Sequence, residues 1–321
     1  MTPKVSVIIP LFNKEHTIAR AIDSVLSQTI QDFEIIIVND NSTDGGPAIV
    51  RNYHDPRIFF IEQDHRGVSY TRNHGVSVAK SDFIAFLDAD DEWMPNHVEI
   101  LLRLKEKYPF AGMYTAAYQK CLKSGKLVNA HYRAIPKSPF EGLLPNYFES
   151  AALGEDPVSV SVAGVSKELF FETGGFPEGE SRGEDIDYWA KIALKYPIAF
   201  SSEVGAIIHE EASGRACDFY YSFDESPCVK NGKKAIADGI VPQKMVPFYR
   251  EFIARKELDT AIINIFANDF ELARKVLART ETRYLFLEKM KWTIVTRIPK
   301  PVITWIRRTK NGISRKCTRA P

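Results

Sequence analysis

Three carboxylates stand within four positions, at Asp88, Asp90 and Asp91. They close an unbroken apolar run, Phe83-Ile84-Ala85-Phe86-Leu87, of the kind shown by a strand buried on both faces. Strand residues two apart share a face, so Asp88 and Asp90 converge on one ligand at the strand's carboxyl end, where open α/β sheets bind theirs. Such a cluster repels itself unless a cation or hydrogen-bond donors compensate it. A hard divalent ion, Mg2+ or Mn2+, carrying the phosphates of a nucleotide meets that need. Taken alone, the same triplet reads more readily as an acidic turn capping the next helix. A second acidic group, Gly183-Glu184-Asp185, opens a helical stretch much further along the chain. One carboxylate site for a cation and one left free suit a displacement in which a diphosphate leaves and a hydroxyl must lose its proton.

The elements that position these groups read as alternating strands and helices. Residues 5–9 form a short apolar strand, and residues 14–28 show helical spacing at Ile18, Ile22, Val25 and Leu26 with Asn13 as N-cap. A second strand at 34–38 stops at the turn-rich 39–46, and Pro47 falls in the first turn of the next helix. Strand 57–61, helix 67–79 and strand 83–87 follow. This alternation predicts a parallel sheet with right-handed crossovers. Beyond Trp93 the spacing predicts a helix at 96–108, a hairpin at 113–128, a mobile loop over 130–156, a strand at 158–165 and a helix at 167–172. A helix from 184 to about 195, strands near 198–201 and 204–208, and helices from about 241 complete the pattern. Trp93 and Trp189 suit either an acceptor groove or the core.

The formal net charge of +1 hides an asymmetry. From Arg283 onward there are eleven Lys and Arg against Glu288 alone, so a basic end follows a mildly acidic body. Interleaved with Tyr284, Phe286, Trp292, Ile294, Trp305 and Ile306, this stretch suits an anionic membrane surface, or else a helical subdomain packed on the body. The acidic remainder argues against nucleic acid. Cys121, Cys217, Cys228 and Cys317 form no zinc spacing and read as free thiols of a reducing compartment. The first residues enter a strand directly, without the layout of a signal peptide, and no apolar run is long enough to span a bilayer. The expected location is cytoplasmic, peripheral at the inner membrane face.

Val5-Ser6-Val7-Ile8-Ile9-Pro10-Leu11-Phe12-Asn13-Lys14-Glu15 resembles the first motif of the family-2 glycosyltransferases, which have the GT-A fold. Val38-Asn39-Asp40-Asn41-Ser42-Thr43-Asp44-Gly45, Arg72-Asn73-His74-Gly75 and Phe86-Leu87-Asp88-Ala89-Asp90-Asp91 continue the likeness, and Gly174-Gly175-Phe176 with Gly183-Glu184-Asp185 resembles its second acidic motif. The resemblance implies an inverting, metal-dependent enzyme that moves a sugar from a nucleotide-diphosphate donor, a UDP-sugar first, to a hydroxyl of a glycan or lipid-linked glycan. It implies nucleotide-sugar contacts at Pro10, Phe12, Glu15, Asp40, Arg72, Asp88, Ala89 and Asp90. Phe12 would lie against the base and Asp40 would accept its ring N–H. Mn2+ or Mg2+ would sit on Asp90 with His209 beside it, and Asp185 would be the general base.

The fold expected is α/β, a Rossmann-like and mostly parallel GT-A sheet over residues 1–240, with a helical basic region at 241–321. Two other classes stay open. A sugar-1-phosphate nucleotidyltransferase normally carries a glycine-rich phosphate loop after its first strand, and Pro10-Leu11-Phe12-Asn13-Lys14 has no glycine there. A silent nucleotide-sugar-binding module is disfavoured by the presence of both Asp90 and Asp185.

Overall fold

Alternation along the first strands decides what each face of the sheet buries. In β1 (Val5–Leu11), β2 (Phe33–Asp40) and β4 (Phe83–Phe86), the residues Ile8, Ile36, Val38, Ile84 and Phe86 face one side. Val7, Ile9, Ile35, Ile37, Phe83 and Ala85 face the other. Both sets are fully buried, so helices must cover both faces. The computed structural model describes residues 2–180, 182–212 and 220–298. In it, α1 (Ile18–Leu26), α2 (Gly46–Arg51) and α4 (His97–Lys107) cover the second face, through Ile18, Ile22, Val50, Val98, Leu101 and Leu104. The first face is covered by α3 (Val68–Val78), α5 (Tyr147–Leu153), α6 (Lys167–Glu172) and α7 (Glu184–Lys195).

The described sheet runs β3 (Ile58–Gln63), β2, β1, β4, β9 (Ala163–Ser166), β6 (Met113–Cys121), β10 (Ile198–His209), β5 (Glu92–Trp93). The β3-β2-β1-β4 portion is parallel throughout, as the strand–helix alternation predicts. β9 pairs antiparallel with both β4 and β6, β6 and β10 are parallel, and β7 (Leu127–Asn129) and β8 (Glu141–Leu143) attach to β6 and β10. The result is a mostly parallel, mixed sheet flanked by helices. α9 (Val246–Phe266), α10 (Phe270–Arg279) and α11 (Phe286–Val295) form the helical C-terminal region, and α8 (Pro227–Ala237), a helix not expected from the sequence, precedes it. Val241, Tyr249, Phe252 and Ile253 belong to the same apolar cluster as Phe86 and Trp189, so the core runs on past residue 240.

Several local expectations need correction. The first helix begins at Ile18, not near Lys14, because Lys14 to Thr17 form a turn and Asn13 lies in the left-handed region at φ 52°. Residues 130–156 are not one loop, for they contain β8 and α5. Tyr147, Phe148, Ala151 and Ala152 face the core within a seven-residue helix, too short to show a period, and Asn146 caps it by accepting from the Glu149 N–H. The strand expected at 158–165 begins with a 3-10 turn at Val160–Val162. The pair expected at 198–208 is a single strand, β10, with a bulge between Ser201 and Val204. Trp93 and Trp189 are both core residues, and Trp93 Nε1 donates to the Ser161 carbonyl. Cys121 and Cys228 are buried free thiols; Cys217, Cys317 and the basic end from residue 299 lie outside the described residues.

Candidate active site

Because β1 to β4 run parallel, their carboxyl ends open at one edge of the sheet. The loops after β1 and β2 are laced together there. Asn13 Oδ1 accepts from the Thr43 N–H at 2.8 Å, and Ser42 Oγ from the Asn13 N–H at 3.0 Å. Asp44 Oδ2 accepts from the Glu15 N–H at 2.8 Å, and Glu15 Oε2 from the Gly45 N–H at 2.7 Å. Glu15 and Asp44 thus hold backbone. Pro10 lies within β1 opposite Val38. Phe12 is left 44% exposed, and its ring stacks on His65 at 4.5 Å between centroids.

Asp40 ends β2 almost wholly buried. Its carboxylate accepts from the Arg66 and Gly67 N–H groups at 2.8 and 2.9 Å and from Gln63 Nε2 at 2.9 Å, and His65 Nδ1 lies 2.9 Å away. Asp40 therefore shapes the loop that brings His65 against Phe12. His65 has no ligand-like spacing in the sequence, and only the turn after β3 reveals it.

The acidic cluster is compact. Oxygens of Asp88, Asp90 and Asp91 all lie within 4.8 Å of one another, with the small Ala89 buried between. Lys14 Nζ reaches Asp90 Oδ2 at 2.7 Å, and Arg20 Nη2 donates to the Asp90 carbonyl. Asp91 is the deepest of the three: it accepts from Ser161 Oγ at 2.6 Å and from the His209 N–H at 2.9 Å. Burial, then the charges of Asp90 and Asp88, push its carboxyl up to about 8.

Arg72 joins this cluster to the second acidic group. α3 packs flush on β1 because Gly75 has no side chain; a Cβ there would lie 2.6 Å from Ile8 Cγ2. The guanidinium of Arg72, in a residue only 4% exposed, donates to Asp88 Oδ1 at 2.7 Å and to Glu184 Oε1 at 3.0 Å, 5.2 Å from the Phe176 ring centre. Burial opposes its charge, yet Asp88 and Glu184 hold its pKa above the ordinary value. Gly183, at φ 76°, turns the chain into α7 and sets Glu184 and Asp185 in the first turn. Asp185 Oδ1 accepts from the Ile186 N–H, and burial followed by the Glu184 charge pushes its carboxyl up to about 7, with Arg72 pulling the other way. Asp187 faces elsewhere, toward Lys191 at 2.7 Å and Asn231 at 2.9 Å.

The structure thus brings Asp88, Asp90, Arg72 and Asp185 to one edge of the sheet. The ring of His209 belongs to a neighbouring group instead. Its Nε2 lies 3.0 Å from Glu92 and its Nδ1 2.5 Å from Glu211, with Cys121 close by, while its backbone N–H holds Asp91.

Residues 6–154 match the family model of glycosyl transferase family 2. Over these residues, a little under half of its length, the chain is similar to the family-2 glycosyltransferases. A Rickettsia bellii protein named an uncharacterized glycosyltransferase is 31% identical over 194 residues, 60% of this chain and 26% of its own length. The Escherichia coli protein WfgD, named a UDP-Glc:alpha-D-GlcNAc-diphosphoundecaprenol beta-1,3-glucosyltransferase, is 37% identical over 111 residues, 34% of this chain and 44% of its own. The chain thus spans about a quarter to under a half of the length of these relatives. The fold matches that of S. aureus TarS in complex with UDP-GlcNAc at a TM-score of 0.64 and 17% identity, covering 98% of this chain and 93% of that one. That likeness concerns the fold, which is GT-A.

Proposed function

We propose that the protein is an inverting, metal-dependent glycosyltransferase that moves a sugar from a nucleotide-diphosphate donor to a hydroxyl of a glycan or lipid-linked glycan. The observation that carries this reading is the placement of Asp185 beside Arg72 and within reach of the Asp88 charge, with its carboxyl pushed up to about 7. A base poised near neutrality takes a proton from an attacking hydroxyl most effectively. Attack by that hydroxyl in one displacement, from the face opposite the leaving group, inverts the anomeric carbon. Phe12 and His65 offer a flat surface to a nucleobase. Asp40 acts by holding their loop, and the backbones of Pro10 and Ala89, with Glu15 bracing the Gly45 turn, shape the rest of the nucleotide site.

The oxygen donors of Asp88, Asp90 and Asp91 suit a hard cation. Beside burial, the charges of Asp90 and Asp88 raise the Asp91 carboxyl, and a bound cation would relieve that repulsion. Bound there, Mn2+ or Mg2+ would stabilise the charge of the departing diphosphate. His209 contributes by fixing Asp91 through its backbone N–H. The UDP-sugars named for WfgD and TarS make a UDP-sugar the first donor to try, and the lipid-linked acceptor named for WfgD favours a peripheral place at the membrane. No helix among the described residues is long and apolar enough to cross one. The test is a panel of nucleotide sugars with Mn2+ and candidate acceptors, reading release of nucleoside diphosphate. No acceptor-stimulated release from any donor refutes the reading.

A further inference from the structure

α11 packs one side, half-buried, on the protein and leaves the other bare. Leu285, Trp292, Val295 and Ile298 pack toward α9 and α10. Leu287, Met290 and Ile294 are exposed, Leu287 to 77%, and so are Tyr284 and Phe286 at the helix start. Positions 287, 290 and 294 follow the spacing of one helical face. Exposed Lys291 shares that face, and exposed Arg283 and Arg297 stand at its two ends. Single exposed apolar residues are common on protein surfaces; five gathered on about one helix are a docking face.

We propose that this outward face of α11 docks on an anionic lipid bilayer, with Leu287, Met290 and Ile294 entering the interface and Arg283, Lys291 and Arg297 at headgroup level. Charge selects the occupant. The segment from Arg283 holds one acidic residue, Glu288, and that carboxylate is turned toward the protein, 2.8 Å from Arg255 Nη1. The chain continues through residues 299–321 with seven more Lys and Arg and no acid. An apolar stripe flanked by cations, with its one anion neutralised from within, matches a surface of anionic headgroups.

The same ion pair joins the inner side of α11 to a cavity of the body. Arg255 also lines a cavity of about 430 Å³ with Lys120, Asp156, Lys256 and Asp259, next to Ile208 and Glu210 at the end of β10. Lys256 feels the charge of Asp185. Docking through α11 therefore anchors the helix whose inner side is tied, through Glu288 and Arg255, to this cavity. That deepens the transferase reading above and rests on it only for the identity of what enters the cavity.

Vesicle flotation of the full chain tests the docking without any turnover, so its failure is separate from failure of the transferase reading. The chain is expected to float with vesicles of phosphatidylcholine and phosphatidylglycerol, in a salt-sensitive way, and not with phosphatidylcholine alone. Leu287→Ser with Ile294→Ser is expected to lower the bound fraction on the order of tenfold or more with an unchanged melting temperature. Lys291→Gln with Arg297→Gln, which keeps the apolar stripe, is expected to weaken binding and flatten its salt dependence, and serves should the first pair fold poorly. Undiminished flotation of these variants, flotation on neither vesicle, or a concentration-dependent dimer that Leu287→Ser abolishes would each overturn the proposal.

Discussion

Arg72→Met removes a cation shared by the two acidic groups and keeps most of the side-chain volume against Phe176. Removing one partner of a buried ion pair costs about 3–5 kcal/mol, because the remaining charge stays desolvated. Glu184 is well buried, but the Asp88 side chain is 32% exposed and water screens part of its loss. The lower end, about 3 kcal/mol, is therefore expected, which at roughly 2–4 °C per kcal/mol lowers the melting temperature by about 6–12 °C. The loss should depend on pH. Asp185 has a folded-state pKa of about 7 against an ordinary 3.8, so the fold favours its neutral form. Its stabilisation is complete below the ordinary value and is lost as pH rises through the folded one. Arg72 lowers that folded value, so its removal extends the loss to higher pH. Thermal unfolding of both proteins at about pH 5 and about pH 8 should show the larger gap at the higher pH. A gap below about 1 kcal/mol, or one equal at both pH values, refutes the reasoning.

Asp185→Asn should lower the rate of acceptor-dependent transfer by about 10²–10⁴-fold with nucleotide affinity kept, and the unmodified enzyme should show an acid limb in kcat/KM near pH 7; full activity of the variant removes the base from the mechanism. The proton on Asp91, held up to about 8, must leave when a cation binds. Mn2+ affinity measured by calorimetry should therefore rise up to about tenfold per pH unit toward pH 8, with proton release seen in buffers of different ionisation enthalpy; a flat profile refutes it. Gly75→Ala should cost about 1–3 kcal/mol in urea unfolding, since its Cβ would press on Ile8 Cγ2; an unchanged midpoint would show that α3 can shift off the sheet.

The first half of the fold was legible because each strand there is a continuous apolar run closed by turn residues. Val7 to Ile9, Ile35 to Val38 and Phe83 to Leu87 cannot sit anywhere but in a sheet covered on both sides. Legibility failed where an element is shorter than its own period. β5 has two residues and β8 three, and α5 has only two turns. β9 pairs with β4, some eighty residues earlier in the chain, as well as with β6, and no local pattern announces a partner that distant. The bulge in β10 misled in another way, because a slip of register between Ser201 and Val204 looks like a break between two strands.

The site divides along the same line. The acidic residues announce themselves by spacing, since two carboxylates two apart at a strand end share a face whatever lies around them. What spacing cannot supply is which donors meet each carboxylate. Asp40 was expected to meet a ligand; that its oxygens also hold a loop carried no signal in the sequence, nor did the ring that the loop delivers, His65. Arg72 lies sixteen residues from Asp88 and far from Glu184 in sequence, yet one planar guanidinium reaches both. A planar cation with several fixed donors can hold two carboxylates at a set separation, as a flexible ammonium cannot. That property makes Arg72 a strut: it fixes how far the free acid stands from the acidic cluster and sets part of the field that Asp185 feels. A lysine there would keep the charge and lose the spacing, so Arg72→Lys should retain much of the stability that Arg72→Met gives up while losing turnover. If Arg72→Lys keeps turnover as well, charge alone is what the site requires, and the strut is not part of its chemistry.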